Sequence, residues 1–168
     1  MAMRLFAVLR TIIVSILFLS IWTWFVPRWV TGNGAFDNPR PLGWIVIALG
    51  VSIAFACALE FAWRGIGTPA PFDPPRRLVI TGLYRWVRNP MYVGAGAALA
   101  GAALYYRSLP LFAYAAAFML AAHLFVVAYE EPVLRAKFGD DYAAYCRRVA
   151  RWLPHARAST GKAEGGAA

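Results

Sequence analysis

The chain has 168 residues, of which 61% are hydrophobic, and its formal net charge is +9. Soluble domains are typically closer to half apolar, so this composition predicts an integral membrane protein and argues against an ordinary soluble fold. The positive residues flank apolar stretches and form no stripe, which excludes a nucleic-acid partner and favours contact with membrane lipid headgroups.

Four apolar stretches predict an all-α, polytopic membrane protein with about four transmembrane helices in a single domain, residues 1–156. They cover residues 5–26, 42–63, 91–106 and 110–129. The first is too long for the apolar part of a signal peptide and has no clear cleavage site, so it is interpreted as a retained anchor. The third covers only about 24 Å at ~1.5 Å per residue, so it tilts, begins within the membrane or thins the bilayer.

Positive residues are distributed unevenly about these stretches. In a four-helix arrangement, most fall at the N terminus, in the loop 64–90 or in the tail, and the other side has only Arg28, Arg40 and Arg107. The positive-inside rule therefore predicts that both termini and the long loop are cytoplasmic, in a bacterial inner membrane. Four prolines between residues 69 and 75 give that loop an extended path, either as a packed lid or as a rigid spacer.

The tail beyond Pro132 predicts an amphipathic cytosolic helix over residues 133–154, with a break at Gly139 and a cap at Asp140. Four apolar or aromatic residues, spaced three, four and three apart, are expected to share one helix face. They are Tyr142, Tyr145, Val149 and Trp152. This helix either lies on the lipid headgroups or closes over the ends of the last two transmembrane helices. Residues 157–168 have a composition typical of disorder.

Two polar clusters, residues 88–92 and 129–132, bracket the third and fourth apolar stretches. If these stretches form a hairpin, both clusters lie at the same membrane face. Ionised groups at the edge of an apolar phase cost free energy, so their presence there indicates a functional site. Pro90 suits the first turn of a helix, and the positive end of that helix together with Arg88 favours an anion. Gly94 and Gly96 would let either a ligand or another helix approach closely.

Glu130 and Glu131 leave several interpretations open. One glutamate could pair with Arg88 while the other binds a cationic or hydroxyl-bearing ligand, or their mutual repulsion could raise one pKa and create a base. His123 precedes Glu130 by two helical turns and is either a buried, hydrogen-bonded histidine or part of the site. The two cysteines lack metal-ligand spacing, and no metal site, hydrolase motif or nucleotide-binding glycine loop is recognisable.

The segment Gly82–Gly94, GLYRWVRNPMYVG, resembles the G-x-Y-x-x-x-R-[HN]-P-x-Y-x-G motif of isoprenylcysteine carboxyl methyltransferases and phospholipid methyltransferases. The glutamate pair with Pro132 and Leu134, together with residues 138–145 and 151–154, resembles their second motif. The resemblance covers about residues 64–154. It implies a membrane methyltransferase that uses S-adenosylmethionine, bound at the cytosolic end of the last helices and covered by the C-terminal segment.

Position within these motifs implies a set of cofactor-binding residues. They are Tyr84, Arg88, Asn89, Pro90, Tyr92, Gly94, Glu130, Glu131, Tyr142, Tyr145 and Arg148. Arg88, Glu131 and His123 are the candidate catalytic residues, with Glu131 or His123 as the base if an amine or hydroxyl accepts the methyl group. Asn89 stands where isoprenylcysteine enzymes usually have histidine, which favours the phospholipid-type or a broader bacterial branch.

The predicted function is methyl transfer to a lipophilic acceptor, such as an isoprenylcysteine-like carboxylate, a phospholipid amine or another small lipid. Two alternatives remain. One is a sterol- or steroid-type membrane reductase that uses NADPH, and the other is a non-catalytic membrane protein. Ligand choice separates the three, because only the first binds S-adenosylmethionine and only the second binds NADPH.

Overall fold

The computed structural model describes residues 25–31, 40–60 and 77–154, together with the single residues 13, 20, 21 and 63. This part of the chain is helical and contains no strand, apart from one isolated parallel bridge between Val87 and Ala150. Its elements are α1 (Val26–Thr31), α2 (Pro41–Glu60), a 3₁₀ turn (Gly82–Arg85), α3 (Pro90–Tyr106), α4 (Leu109–Phe125), a π-helical turn (Val126–Glu130) and α5 (Glu131–Arg148). The predicted first span, the proline-rich loop and the tail 157–168 lie outside the described residues, except for single positions of the first span.

Helices α2 and α3 form the most extensive contact of the described chain. Glycines on both helices allow their backbones to touch. A Cβ atom on Gly94 would lie 2.7 Å from the backbone nitrogen of Ala54 and 2.7 Å from the carbonyl oxygen of Gly50. A Cβ atom on Gly101 would lie 2.6 Å from the backbone nitrogen of Ile47. Small residues thus replace interlocking side chains, as is common between helices in membranes.

Helices α3 and α4 form a hairpin with a very short connection. Arg107 adopts the left-handed conformation that ends α3, and the side chain of Ser108 caps α4 by accepting a hydrogen bond from the backbone of Leu111 at 3.4 Å. Ala102, Ala103, Tyr106 and Leu111 form a buried cluster beside this turn. The hairpin brings the start of α3 and the end of α4 to the same end of the molecule, as the sequence predicts.

The helix after α4 differs from the sequence prediction. The sequence predicts two separate segments, 110–129 and 133–154, but the helical path continues from Leu109 through the π-helical turn Val126–Glu130 to Arg148, with a kink at Gly139. Pro132 cannot donate a backbone hydrogen bond and its ring crowds the preceding turn. A π-helical turn immediately before it widens the helix by one residue, so the chain accommodates Pro132 without ending the helix.

The end of α5 corrects a second expectation. Gly139 does interrupt the helix, with φ of 51° and ψ of −123°, but the helix ends at Arg148 and Val149 is extended. Val149 and Trp152 therefore do not continue the helical face of Tyr142 and Tyr145. Ala150 bridges to Val87 instead, and this long-range pairing overrides the helical periodicity.

Among the described residues, two helical segments are long and apolar enough to cross a membrane. They are α2 and Leu109–Arg148, which joins α4, the π-helical turn and α5 and contains the predicted span 110–129. The 17-residue α3 is shorter, as expected for the third stretch. Large apolar side chains of α2 and α4, including Leu42, Ile45, Leu49, Leu120 and Leu124, are exposed, which suits contact with lipid. The count of four spans stays a prediction.

Candidate functional site

The site is centred on Glu131, the first residue of α5, which is only 6% exposed. Arg151 holds both of its oxygens, with Nε 2.7 Å from Oε1 and Nη2 3.0 Å from Oε2. Arg88 approaches from the other side, with Nη1 3.0 Å from Oε1. One buried carboxylate is thus shared by two guanidinium groups, so the group of three carries a net positive charge.

Backbone pairing positions the two arginines. The backbone N–H of Arg88 donates to the carbonyl of Ala150 at 2.8 Å, and the side-chain amide of Asn89 donates to the carbonyl of Arg151 at 3.2 Å. The segment before α3 is therefore fastened to the segment after α5. Asn89 has a clear structural role in this fastening, because its amide nitrogen supplies one of the two bonds.

Arg88 is held but not fully neutralised. Besides Glu131, its Nη1 donates to the Sγ atom of Cys146 at 2.9 Å, and sulfur is a weak acceptor. Its Nε is buried and has no hydrogen-bond partner within the described residues. A buried guanidinium donor costs free energy unless an anion or another polar group accepts a hydrogen bond from it. The arrangement therefore favours an anionic ligand beside Arg88.

Glu130 points to different partners from Glu131. The hydroxyl of Tyr92 donates to Oε1 of Glu130 at 2.6 Å. Burial raises the pKa of Glu130; the bond from Tyr92 opposes this shift and the charge of Glu131 adds to it. For Glu131, burial opposes ionisation, but the hydrogen bond from Arg151 and the charges of Arg88 and Arg151 prevail and lower its pKa. The pKa values of these two adjacent carboxyl groups are thus shifted in opposite directions.

Aromatic rings pack around Tyr92, the hydrogen-bond partner of Glu130. The rings of Tyr92 and Trp152 meet edge to face at 6.5 Å, and Trp152 lies 6.0 Å from the ring of His123. Nε1 of Trp152 donates to Nδ1 of His123 at 3.0 Å. Because Nδ1 accepts this bond, the neutral ring carries its proton on Nε2. Trp152 therefore links α4 to the start of α3.

Two tyrosines hold the second half of α5, the segment predicted to cover the cofactor and called the cover below. The hydroxyl of Tyr145 donates to the backbone carbonyl of Tyr84 at 2.6 Å, and burial raises the pKa of the Tyr145 hydroxyl. The Tyr84 side chain packs into a buried cluster with Cys57 and Val79. Tyr142 is also buried, with its ring 6.2 Å from that of Tyr145. The second half of α5 is thereby attached to the 3₁₀ turn.

A comparison with models of known protein families matches residues 39–141 to the phospholipid methyltransferase family. The chain belongs to this family. A search of curated proteins and a search of solved structures found no match. As a member of the phospholipid methyltransferase family, with two helices able to span a membrane in the described part alone, the chain is an integral membrane protein of a methyltransferase family. This membership favours methyl transfer over the reductase and the non-catalytic alternatives.

The phospholipid methyltransferase match extends over Arg88 and both glutamates but ends before Tyr142, Tyr145, Arg151 and Trp152. Most predicted site residues are brought together by the structure. They are Arg88, Asn89, Pro90, Tyr92, His123, Glu130, Glu131, Tyr142 and Tyr145. Their contact with a cofactor stays a prediction.

The side chains or faces of three predicted residues lie away from the contacts around Glu131. The backbone face of Gly94 is filled by α2, which supports helix packing as its role. The side chain of Tyr84 is in the core, and Arg148 is exposed and takes no part in the contacts around Glu131. Sequence reasoning missed Arg151, Trp152 and Cys146 as site residues. Arg151 is the first residue of Arg151-x-x-Pro154, which is part of the second motif, and this position is the signal that could have identified it. A continued helix would instead place Arg151 on a different face from Tyr142 and Tyr145.

Proposed function

We propose that this chain transfers a methyl group from S-adenosylmethionine to a lipophilic acceptor. The observation that carries this proposal is a buried, incompletely neutralised Arg88 bonded to Glu131, next in sequence to a desolvated Glu130 that accepts a bond from Tyr92. S-adenosylmethionine has the complementary groups, namely a carboxylate, an ammonium group, ribose hydroxyls and a sulfonium next to an aromatic base.

Each group of the cofactor has a chemical counterpart. The carboxylate suits the unpaired Nε of Arg88 and the positive start of α3. The ammonium group or the ribose hydroxyls suit Glu130, whose carboxylate is desolvated and accepts only one bond, from Tyr92, among the contacts described. The sulfonium and the adenine ring suit Tyr92 and Trp152, since cations and flat rings both bind well against aromatic faces.

The two glutamates take separate roles in this proposal. Glu131 orients both arginines and, with its pKa lowered, is a poor proton acceptor. Glu130, with its pKa raised, takes up a proton more readily, but in this proposal it is engaged with the cofactor and is not free to act as the general base that an amine or hydroxyl acceptor needs. His123 is less suited to that role, because Nδ1 is occupied by Trp152. The base, predicted as Glu131 or His123, stays a prediction and is needed only if the acceptor is an amine or a hydroxyl.

The bound cofactor supplies an electrophilic methyl group on sulfur, and the protein contributes position and exclusion of water. Methyl transfer is an in-line displacement, so the rate depends on alignment of acceptor, methyl and sulfur. Arg88 and Glu130 fix the polar end of the cofactor. Trp152 and the cover formed by α5 shield the reacting atoms from water, which favours transfer to the acceptor over side reactions. The acceptor enters sideways from the bilayer and the cofactor from the cytosol.

The proposal is tested by transfer of a labelled methyl group. Purified protein in lipid nanodiscs is incubated with methyl-labelled S-adenosylmethionine and a fractionated bacterial membrane extract, and label is measured in the organic phase. We expect one lipid fraction to become labelled, with activity lost in Arg88→Ala and kept in Arg147→Ala, an exposed arginine of α5 outside the site. Failure of the wild-type protein to label any fraction would contradict the proposal.

A further inference from the structure

Arg151 and Arg88 share Glu131 unequally. Arg151 makes two bonds to the carboxylate, one to each oxygen, in the bidentate geometry that guanidinium groups prefer. Arg88 reaches only Oε1, through Nη1. The oxygen Oε2 is therefore committed to Arg151, and Arg88 has no bidentate partner of its own.

The remaining donors of Arg88 are poorly satisfied. Its second contact is with the thiol of Cys146, and its Nε is buried without a partner in the described structure. Side chains of Arg88 and Glu131 are 12% and 8% exposed, so water can do little to neutralise this charge. If Arg151 were absent, Glu131 could turn both oxygens toward Arg88 and neutralise it.

We propose that Arg151 is a positioning residue that engages Oε2 of Glu131, limits Arg88 to a single contact with Oε1, and so keeps Arg88 available for the carboxylate of the cofactor. This inference rests on the proposed function. Arg151 acts through Glu131 and needs no contact with the cofactor. Its backbone is fixed for this purpose by the bond from Asn89 to its carbonyl and by the adjacent bond from Arg88 to Ala150.

The inference predicts an effect that depends on the carboxylate of the ligand. Binding of S-adenosylmethionine and of decarboxylated S-adenosylmethionine is measured by calorimetry with wild-type protein, Arg151→Gln, Arg151→Lys and the surface control Arg147→Gln. We expect Arg151→Gln to weaken S-adenosylmethionine about tenfold, as for loss of one charge-assisted bond, and the decarboxylated ligand less than about twofold. Arg151→Lys, which keeps one bond to Glu131, is expected to lose about threefold for the carboxylate-bearing ligand.

A purely structural role for Arg151 would weaken both ligands equally, and that result would overturn the inference. Unchanged affinity of Arg151→Gln for S-adenosylmethionine would overturn it as well. If Arg151→Gln does not fold, Arg151→Lys decides between the two roles by the same ratio of affinities. Absence of binding by the wild-type protein is a different outcome, because it would contradict the proposed function itself.

Discussion

Two regions of the molecule are stabilised in opposite ways. One is the contact between α2 and α3, and the other is the charged end of the helices, formed by Arg88, Asn89, Glu131 and Arg151. In the helix contact, glycines bring two backbones together and the partners lie along regular helix faces. At the charged end, single side chains join segments about sixty residues apart, such as Arg88 to Cys146 and Asn89 to Arg151. The first region tolerates no added atom, whereas the second depends on the identity of each polar group.

This difference explains which variants should fail to fold and which should fold but lose function. Adding a methyl group to the helix contact forces two backbones apart, because no flexible side chain can move aside. Removing a polar group from the charged end leaves the helices packed but changes what the site can bind. Four substitutions probe this contrast, from the largest expected effect to the smallest.

The largest effect is expected for Gly94→Ala. Its new Cβ atom would lie within 3 Å of two backbone atoms of α2, so the free energy of unfolding should fall by about 3 kcal/mol. Thermal unfolding in detergent, followed by size-exclusion chromatography, measures this loss. The control is Ala116→Val on the exposed face of α4, which adds more volume and should change little. Equal stability of the two variants would contradict the packing role of Gly94.

Arg88→Ala should affect binding more than folding. Loss of its charge is expected to weaken S-adenosylmethionine by about a hundredfold, the contribution of a strong charge-assisted interaction. Calorimetry measures the affinity, and Arg147→Ala is the matched control because it removes an arginine exposed to solvent. Affinity equal to that of the wild type would place the cofactor elsewhere.

The third prediction concerns pH. If ionised Glu130 binds the ammonium group or the ribose, affinity should rise with pH through its raised pKa and level off above it, because burial favours the protonated form in the free protein. Glu130→Gln should lose about tenfold in affinity at neutral pH and show no such rise. A titration of affinity against pH tests both statements. The same pH dependence in Glu130→Gln and wild type would assign the titration to another group.

The smallest effect is expected for Tyr145→Phe. This change removes the buried bond to the carbonyl of Tyr84 at a cost of about 1 kcal/mol while preserving the ring. The loss should appear locally, as faster hydrogen exchange in residues 140–154, and not in the exchange of α2 or α3. Uniform acceleration over all helices would show that the cover and the helix contact unfold as one unit.

The contrast between the two regions also shows what can be predicted from the sequence. Runs of apolar residues locate α2 and α3 within three residues, 42–63 against Pro41–Glu60 and 91–106 against Pro90–Tyr106. The same hairpin geometry explains why Arg88 and Glu131 meet. Helix boundaries depend on local composition, and composition is visible in one sequence.

The contacts of Arg151 and Trp152 depend on long-range pairing and are harder to predict from the sequence. The bridge between Val87 and Ala150 ends α5 and turns Arg151 toward Glu131, although helical spacing places Arg151 on another face. Trp152 reaches His123 for the same reason. The π-helical turn before Pro132 was also missed, because a proline in sequence indicates a helix end more often than a widened turn.

The central claim is that Arg88 and Glu130 hold S-adenosylmethionine. The most direct test is a calorimetric titration of purified wild-type protein with S-adenosylhomocysteine, the demethylated product, and in parallel with NADPH. We expect saturable binding of S-adenosylhomocysteine, about a hundredfold weaker in Arg88→Ala, and no binding of NADPH. Binding of NADPH without binding of S-adenosylhomocysteine would contradict it.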